Sequence, residues 1–317
     1  MVTKIHRDAL RSEIGSLRQL LAKSAGRDPL GELSLSKRLK SREAELAQIV
    51  GQVKTGASVA LVFDGEPVRG SMAIEADFAG KALQDYQELV AKHVAASEFG
   101  GLAERGRLPG QVNRQARMNV TGLVHGSFGF VLEEDGSDEP EMFDTPARRA
   151  VEQVTELLTS VTSMDGRKFE SALIELDVRI FQTLKRFVGT LHKANATLRV
   201  ADELKELKLD IASVGRAYER VSQVEVEEKD ESVEGELLGL VPIQRRFEFK
   251  RGDNGQVLQG RVDVNLSADY LERIEREGII VTGSKWRATT RTKTVQLPDG
   301  RHATNSIMLI DLIHLEN

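Results

Sequence analysis

Residues 285–293, near the C-terminal end, carry a cationic side chain at every second position except 289, which is Thr. The four cations are Lys285, Arg287, Arg291 and Lys293. Because successive side chains of a β-strand point to opposite faces, a strand here places all four on one face with Trp286 behind them. Arg245 and Arg246 add positive charge at a neighbouring predicted strand. Such a face predicts binding of an anion, above all a nucleic-acid backbone.

Two other interpretations of this cationic face stay open. Acidic residues of the same chain can neutralise it, and residues 225–236 carry seven Asp or Glu side chains. Alternatively, the face binds an acidic surface of a partner protein. The choice depends on whether residues 225–236 lie beside the cationic strand in the fold.

Few other residues occur at a spacing typical of catalytic sites. The chain has no cysteine, which excludes disulfides, thiolate metal sites and cysteine nucleophiles. The six histidines are scattered, and neither a Gly-rich phosphate loop nor a G-x-S-x-G motif is present. His125, beside a predicted turn, is the least unfavourable catalytic histidine. We therefore predict no catalytic residue, no cofactor and no metal ligand.

A metal-dependent nuclease is the third functional class to consider. Such an enzyme needs acidic side chains around a divalent ion, with a lysine nearby. Residues 203–205 and 206–208 both read Glu-x-Lys, and Asp64 and Asp77 lie near an earlier predicted hairpin. This pattern is common in segments rich in Glu and Lys, so a solvent-exposed charged face explains it more simply.

The composition indicates a soluble globular chain with more than one core. A length of 317 residues predicts two or three folding units. The formal charge of −5 gives no general attraction to nucleic acid or an anionic membrane, so any such binding must be local. The chain shows neither an apolar signal region nor a membrane-spanning apolar stretch, and we expect a cytoplasmic protein that does not bind membranes.

The N-terminal residues have the pattern of two helices that form a hairpin. A helix-breaking segment lies at 26–31, and Ser34 or Ser36 is the predicted N-cap of the second helix. Apolar residues three and four positions apart form a narrow seam, which two helices cannot bury by themselves. The seam residues that we expect to contact a partner protein or a second copy are Leu10, Ile14, Leu17, Leu21, Leu39 and Leu46.

The central residues alternate predicted strand pairs with amphipathic helices. The strand pairs are expected at 58–63 with 68–74, at 114–124 with 127–134, and at 196–200 with 204–209. Asp64 and Gly65 provide the turn of the first pair. The helices are expected at 75–97, 146–163, 167–194 and 211–222, the third with an interruption near Asp177.

The C-terminal residues change to short strands and tight turns. Strands are expected at 237–242, 246–249, 256–262, 286–295 and 306–313. Residues 225–236 are expected to form a domain boundary or an edge strand, and a short helix is expected to begin at Ser267. Five short strands with one helix predict a small, half-open barrel of the SH3-like or OB-like kind.

These patterns together predict an α+β fold in three parts. A helical hairpin occupies residues 1–55. A central antiparallel sheet with helices on one face occupies residues 56–222. The small β-barrel occupies residues 223–317.

Several short motifs occur in an order that resembles a group of uncharacterised bacterial proteins. They are SLSKRL at 34–39, FDGEPV at 63–68, GSFGFVLEE at 126–134, GELLGLVP at 235–242 and RFEF at 246–249. The group has a helical start, an α+β centre and a small C-terminal barrel, so the resemblance implies that fold over nearly the whole chain. It implies no catalytic activity, and it suggests an accessory gene cluster, of which phage-defence clusters are one kind.

Our leading hypothesis is a non-enzymatic assembly or adaptor protein that binds a protein partner or a second copy through the helical seam. The alternative is nucleic-acid binding through the cationic strand. The second alternative is a metal-dependent nuclease.

Overall fold

The chain folds into an N-terminal helix pair, a central sheet covered by helices and a C-terminal barrel. The computed structural model describes residues 4–24, 29–50, 56–98, 107–124, 128–135, 144–202, 205–241, 243–263, 266, 272, 285–296 and 302–315. The described residues form eight helices and twelve strands. The predicted α+β class, with its helical start, antiparallel centre and small barrel, is therefore confirmed.

The helix pair consists of α1 (Lys4–Ser24) and α2 (Pro29–Val50). The second helix begins earlier than we predicted, at Pro29 rather than after Ser34 or Ser36. Proline suits the first position of a helix because its fixed φ is helical and its missing N–H has no partner to lose there. Pro29 therefore starts this helix instead of ending the preceding one.

The central sheet is antiparallel, with the strand order β4-β5-β1-β6-β7. Its strands are β1 (Ser58–Gly65), β4 (Met118–Val124), β5 (Phe128–Glu134), β6 (Ala196–Ala201) and β7 (Glu206–Leu209). Strands β2 (Val68–Arg69) and β3 (Ala73–Ile74) form a separate small pair. The predicted hairpin of 58–63 with 68–74 is wrong, because β1 pairs with β5 and β6 on its two sides. A strand whose residues 58–63 are all buried belongs in the middle of a sheet.

Six helices accompany the central sheet. They are α3 (Ala76–Glu98), α4 (Gly110–Gln115), α5 (Pro146–Thr162), α6 (Gly166–Glu175), α7 (Val178–Lys193) and α8 (Ile211–Gln223). Thr145 caps α5, and Asp177 caps α7 at the predicted interruption. One face of the sheet packs against α3, α5, α7 and α8 in a single large core that includes Leu61, Tyr86 and Phe187.

The C-terminal barrel is closed, with the order β10-β12-β11-β8-β9. Its strands are β8 (Glu225–Val241), β9 (Arg246–Arg251), β10 (Val257–Val262), β11 (Lys285–Gln296) and β12 (His302–His314). It is not half-open, because β10 pairs with both β9 and β12. The acidic residues 225–236 form the first part of β8 and pair with β11 along their whole length. Strand β9 pairs with β8 only from Gly235 onward, so residues 225–234 are an edge strand within the described residues, one of the two predicted alternatives. The helix predicted from Ser267 lies outside the described residues.

None of the described helices has the length and apolar character needed to cross a lipid bilayer.

Candidate functional site

The four cations of the predicted cationic face, which we call the cationic stripe, share one face of β11 (Lys285, Arg287, Arg291 and Lys293). Trp286, Ala288 and Thr290 point to the barrel side and are buried. Burial of the cations increases along the strand: Lys285 and Arg287 are exposed, Arg291 is half-buried, and Lys293 is only 8% exposed. The stripe is therefore a surface at one end and an internal contact at the other.

Each of these cations lies directly opposite an acidic residue of β8. The pairs are Lys285 with Glu236, Arg287 with Glu234, Arg291 with Asp230, and Lys293 with Glu228. Opposite charges at directly facing positions stabilise a β-ladder and favour one register over others. Residues 225–236 thus lie beside the cationic strand along most of its length.

Two of the pairs make direct ion pairs. Arg287 Nη2 lies 2.7 Å from Glu234 Oε1. Arg291 donates from Nε to Asp230 Oδ1 at 2.8 Å and from Nη2 to Oδ2 at 2.9 Å. This hydrogen-bonded contact with Arg291 lowers the pKa of Asp230. Two of the cations predicted to bind an anion are therefore compensated within the chain.

Lys293 joins the barrel to the central domain. Its Nζ donates to the carbonyl oxygen of Leu173 at 2.8 Å and also to that of Leu176. These carbonyls belong to the last turn of α6 and to its C-cap, where helices leave carbonyls unpaired. Burial lowers the pKa of Lys293, and the nearby Glu228 and Asp177 oppose that effect.

Strands β8 and β11 form a two-stranded ribbon, and each face of this ribbon contributes side chains to a different core. Val233 and Ala288, which face each other across the ladder, lie in the barrel core. Val295 is buried in the central core, and Val226 opposite it packs against that core. The cationic face of β11 is the one that continues into this central contact, which is why its last cation is buried.

The two other predicted anion-binding residues lie on a different part of the barrel. Arg245 precedes β9 with a φ of 51°, and its Nε donates to the carbonyl oxygen of Val262 at 3.0 Å. Arg246 is exposed at the start of β9. Strand β8 separates both residues from β11. They do not extend the predicted stripe into one continuous patch.

The seam of the helix pair is a small core of its own. Leu10, Ile14 and Leu17 are 3%, 6% and 4% exposed, and Leu21, Leu39 and Leu46 are half-buried. None of the six belongs to the cores of the central domain or the barrel. Among the described elements, α1 and α2 make their main contacts with each other.

Arginine–glutamate pairs link the two helices across the seam. Arg18 Nη2 lies 2.6 Å from Glu43 Oε1, and Arg38 Nη2 lies 2.7 Å from Glu13 Oε1. Arg42 also reaches Glu13, at 3.2 Å. The hydrogen bond from Arg38 is the main reason that the pKa of Glu13 is lowered. These pairs fix how α1 and α2 face each other.

A polar cluster between α3 and α7 was not predicted from the sequence. Asp85 is buried and pairs with Arg186, which also pairs with Glu88. Lys92, buried on the next turn, lies 2.8 Å from Glu88 and donates to Thr183 Oγ1 at 2.6 Å. The residues are about a hundred positions apart in the chain, so no local pattern signals the cluster. It balances buried charges and joins the two helices.

A crevice of about 780 Å³ separates the central helices from the barrel. His93, Gln153, Asp177, Glu228 and Arg261 are among its lining residues. His93 is 9% exposed, and its Nε2 has no hydrogen-bond partner within the described part of the chain. Burial lowers its pKa to about 4, so the imidazole is neutral near pH 7.

The residues considered for catalysis do not converge. Lys205 pairs with Glu156, and Glu206 pairs with Arg199 and Lys208. His125 and Glu203 lie outside the described residues. The described ranges contain no group of three or more His, Cys, Asp or Glu that could hold a metal ion.

No protein-family model, no curated protein and no solved structure matches this chain.

Proposed function

We propose that the chain is a non-enzymatic assembly or adaptor protein and that the α1–α2 pair is its docking element. The observation that carries this proposal is the separate seam of the pair. Its buried residues, Leu10, Ile14 and Leu17, lie outside both main cores, and among the described elements α1 and α2 make their main contacts with each other. A structural element that adds nothing to the main cores is free to serve contacts with another protein.

Exposed apolar side chains on the pair support the same proposal. Leu20 is 51% exposed and Leu33 is 71% exposed. Leu33 lies on the opposite side of α2 from Leu35 and Leu39, and Leu20 flanks the seam of α1, so both helices present apolar surface to solvent. Burial of these side chains against another protein removes apolar surface from water and favours association.

The charge arrangement of the barrel favours this function over nucleic-acid binding. Arg287 and Arg291 are held by Glu234 and Asp230, and Lys293 is buried. A phosphate backbone would have to displace those carboxylates and would meet repulsion from the adjacent acidic strand. Of the stripe, Lys285 and Arg287 are exposed, and Arg287 is paired with Glu234.

A pair of surface substitutions tests the proposal. We expect L20E/L33E to abolish self-association or partner binding while leaving the fold intact, because both side chains are exposed. Sedimentation velocity measures self-association, and pull-down with the immobilised chain measures partner binding. The matched control is M72E/M164E, at residues 88% and 80% exposed outside the helix pair, which should bind like the wild type. A wild-type chain that neither self-associates nor retains any protein selectively would refute the assembly function.

A further inference from the structure

Positive charge is concentrated in the helix pair, and the rest of the chain is acidic. Residues 1–53 contain ten Lys or Arg and six Asp or Glu, which gives a formal charge of +4. Because the whole chain carries a formal charge of −5, residues 54–317, which we call the body, carry −9. The helix pair of one copy and the body of another are therefore electrostatically complementary.

Two of the four cations of α2, Lys37 and Lys40, lie on its outer face. Leu33, Lys37, Lys40 and Ala44 are all exposed. Their spacing of four, three and four residues places them on one side of the helix. Leu35, Leu39 and Leu46, which point toward α1, are half-buried on the other side. The outer face thus combines one exposed leucine with two lysines.

Among the described residues, the lysines of this outer face lack an ion-pair partner, whereas three glutamates of the pair are engaged. Glu13, Glu43 and Glu45 form ion pairs with arginines of α1 and α2. Lys37 and Lys40 have no ion-pair partner within the residues that the structure describes. The outer face is therefore available to carboxylates of another molecule.

We propose that the face of α2 formed by Leu33, Lys37 and Lys40 binds the acidic body, residues 54–317, of a second copy of this chain. This inference rests on the proposed function, in which the helix pair is the docking element, and it names the partner. The contact joins two different surfaces, so copies associate head to tail and form either a ring or an open chain. Because exposed charges contribute, added salt weakens the association.

Sedimentation equilibrium of the full chain at low and high ionic strength tests this contact. The wild type should self-associate at low salt, with a dissociation constant that rises at high salt. Reversing two charges in K37E/K40E puts like charges across the contact and should raise the dissociation constant by about tenfold or more. Circular dichroism should be unchanged, because both lysines are exposed.

A matched control separates this contact from a general effect of net charge. Lys193 and Lys229 are exposed on the acidic body and have no ion-pair partner within the described residues. K193E/K229E changes the net charge by the same amount as K37E/K40E, but it makes the body more acidic. The control should associate as tightly as the wild type or more tightly.

Three results would overturn the inference. They are a wild type that is monomeric at every concentration, a K37E/K40E chain that associates like the wild type, and equal weakening by both double substitutions. Failure of the proposed function looks different. If the wild type is monomeric but L20E/L33E still loses a heterologous partner, the docking function stands and the second copy is excluded.

Discussion

Lys293 Nζ donates a hydrogen bond to the carbonyl oxygen of Leu173 at 2.8 Å, so a barrel side chain caps a helix of the central domain. The lysine is buried at this contact and also reaches the carbonyl oxygen of Leu176. An ammonium group suits the C-terminal end of a helix, where the dipole is negative and carbonyls lack partners. The last residue of the cationic stripe therefore joins the barrel to a helix that accompanies the central sheet.

Removing this cap should destabilise the whole chain. We expect Lys293→Met, which keeps the apolar stem, to lower the free energy of unfolding by about 1–3 kcal/mol because buried carbonyl oxygens lose their donor. Urea denaturation followed by circular dichroism measures the change. Lys285→Met at the exposed end of the same face is the control and should have little effect. Equal stability of the two variants would show that the cap is energetically unimportant.

The ladder of opposite charges should contribute measurable coupling. Arg291 makes two hydrogen bonds with Asp230, and its side chain is only 16% exposed. A double-mutant cycle with Arg291→Gln and Asp230→Asn should give a coupling energy of about 1 kcal/mol. The same cycle on Arg18 and Glu43, whose side chains are 65% and 39% exposed, should give less. Coupling no larger than in this control would argue against a role of the ladder in stability.

The buried imidazole of His93 should make stability depend on pH. The unfolded chain takes up a proton near pH 6.5, whereas burial lowers the pKa in the folded chain to about 4. Between these values the unfolded state binds more protons, so stability falls as the pH drops from 6.5 to 4. Over this pH interval, we expect the free energy of unfolding to fall by about 3 kcal/mol less in His93→Gln than in the wild type. Parallel stability curves for the two chains would contradict the lowered pKa.

The seam of the helix pair should fold and unfold almost independently of the main cores. Ile14→Asp places a charge among Leu10 and Leu17, so α1 and α2 should separate and lose helical structure. The main unfolding transition should keep its midpoint, because none of these residues belongs to the central or barrel cores. Circular dichroism at low temperature and during thermal unfolding measures both effects. A lowered main midpoint would mean that the pair supports the body.

Local patterns in the sequence predicted most of the individual elements. Thr145 and Asp177 mark helix starts because their side chains accept hydrogen bonds from the first turn. Alternation also placed Lys285 and Arg287 correctly on the face opposite Trp286. Capping and alternation depend on near neighbours in the chain, which is why they can be read without a structure.

Features that depend on distant residues were harder to predict. The partner of Arg291 is Asp230, and the partners of Lys293 are backbone carbonyls of α6, more than a hundred positions earlier. Alternation also could not reveal that one face of the ribbon continues into a second core. The pairing of β1 was missed for the same reason, because its neighbours β5 and β6 come much later in the chain.

The most direct test of the assembly function is light scattering after size-exclusion chromatography of the full chain and a chain lacking residues 1–53. The full chain should elute as an oligomer or as a complex with its captured partner. The shortened chain should be monomeric, bind no partner and keep the circular dichroism and unfolding midpoint of the folded body. An identical mass and partner for both chains would contradict the role of the helix pair.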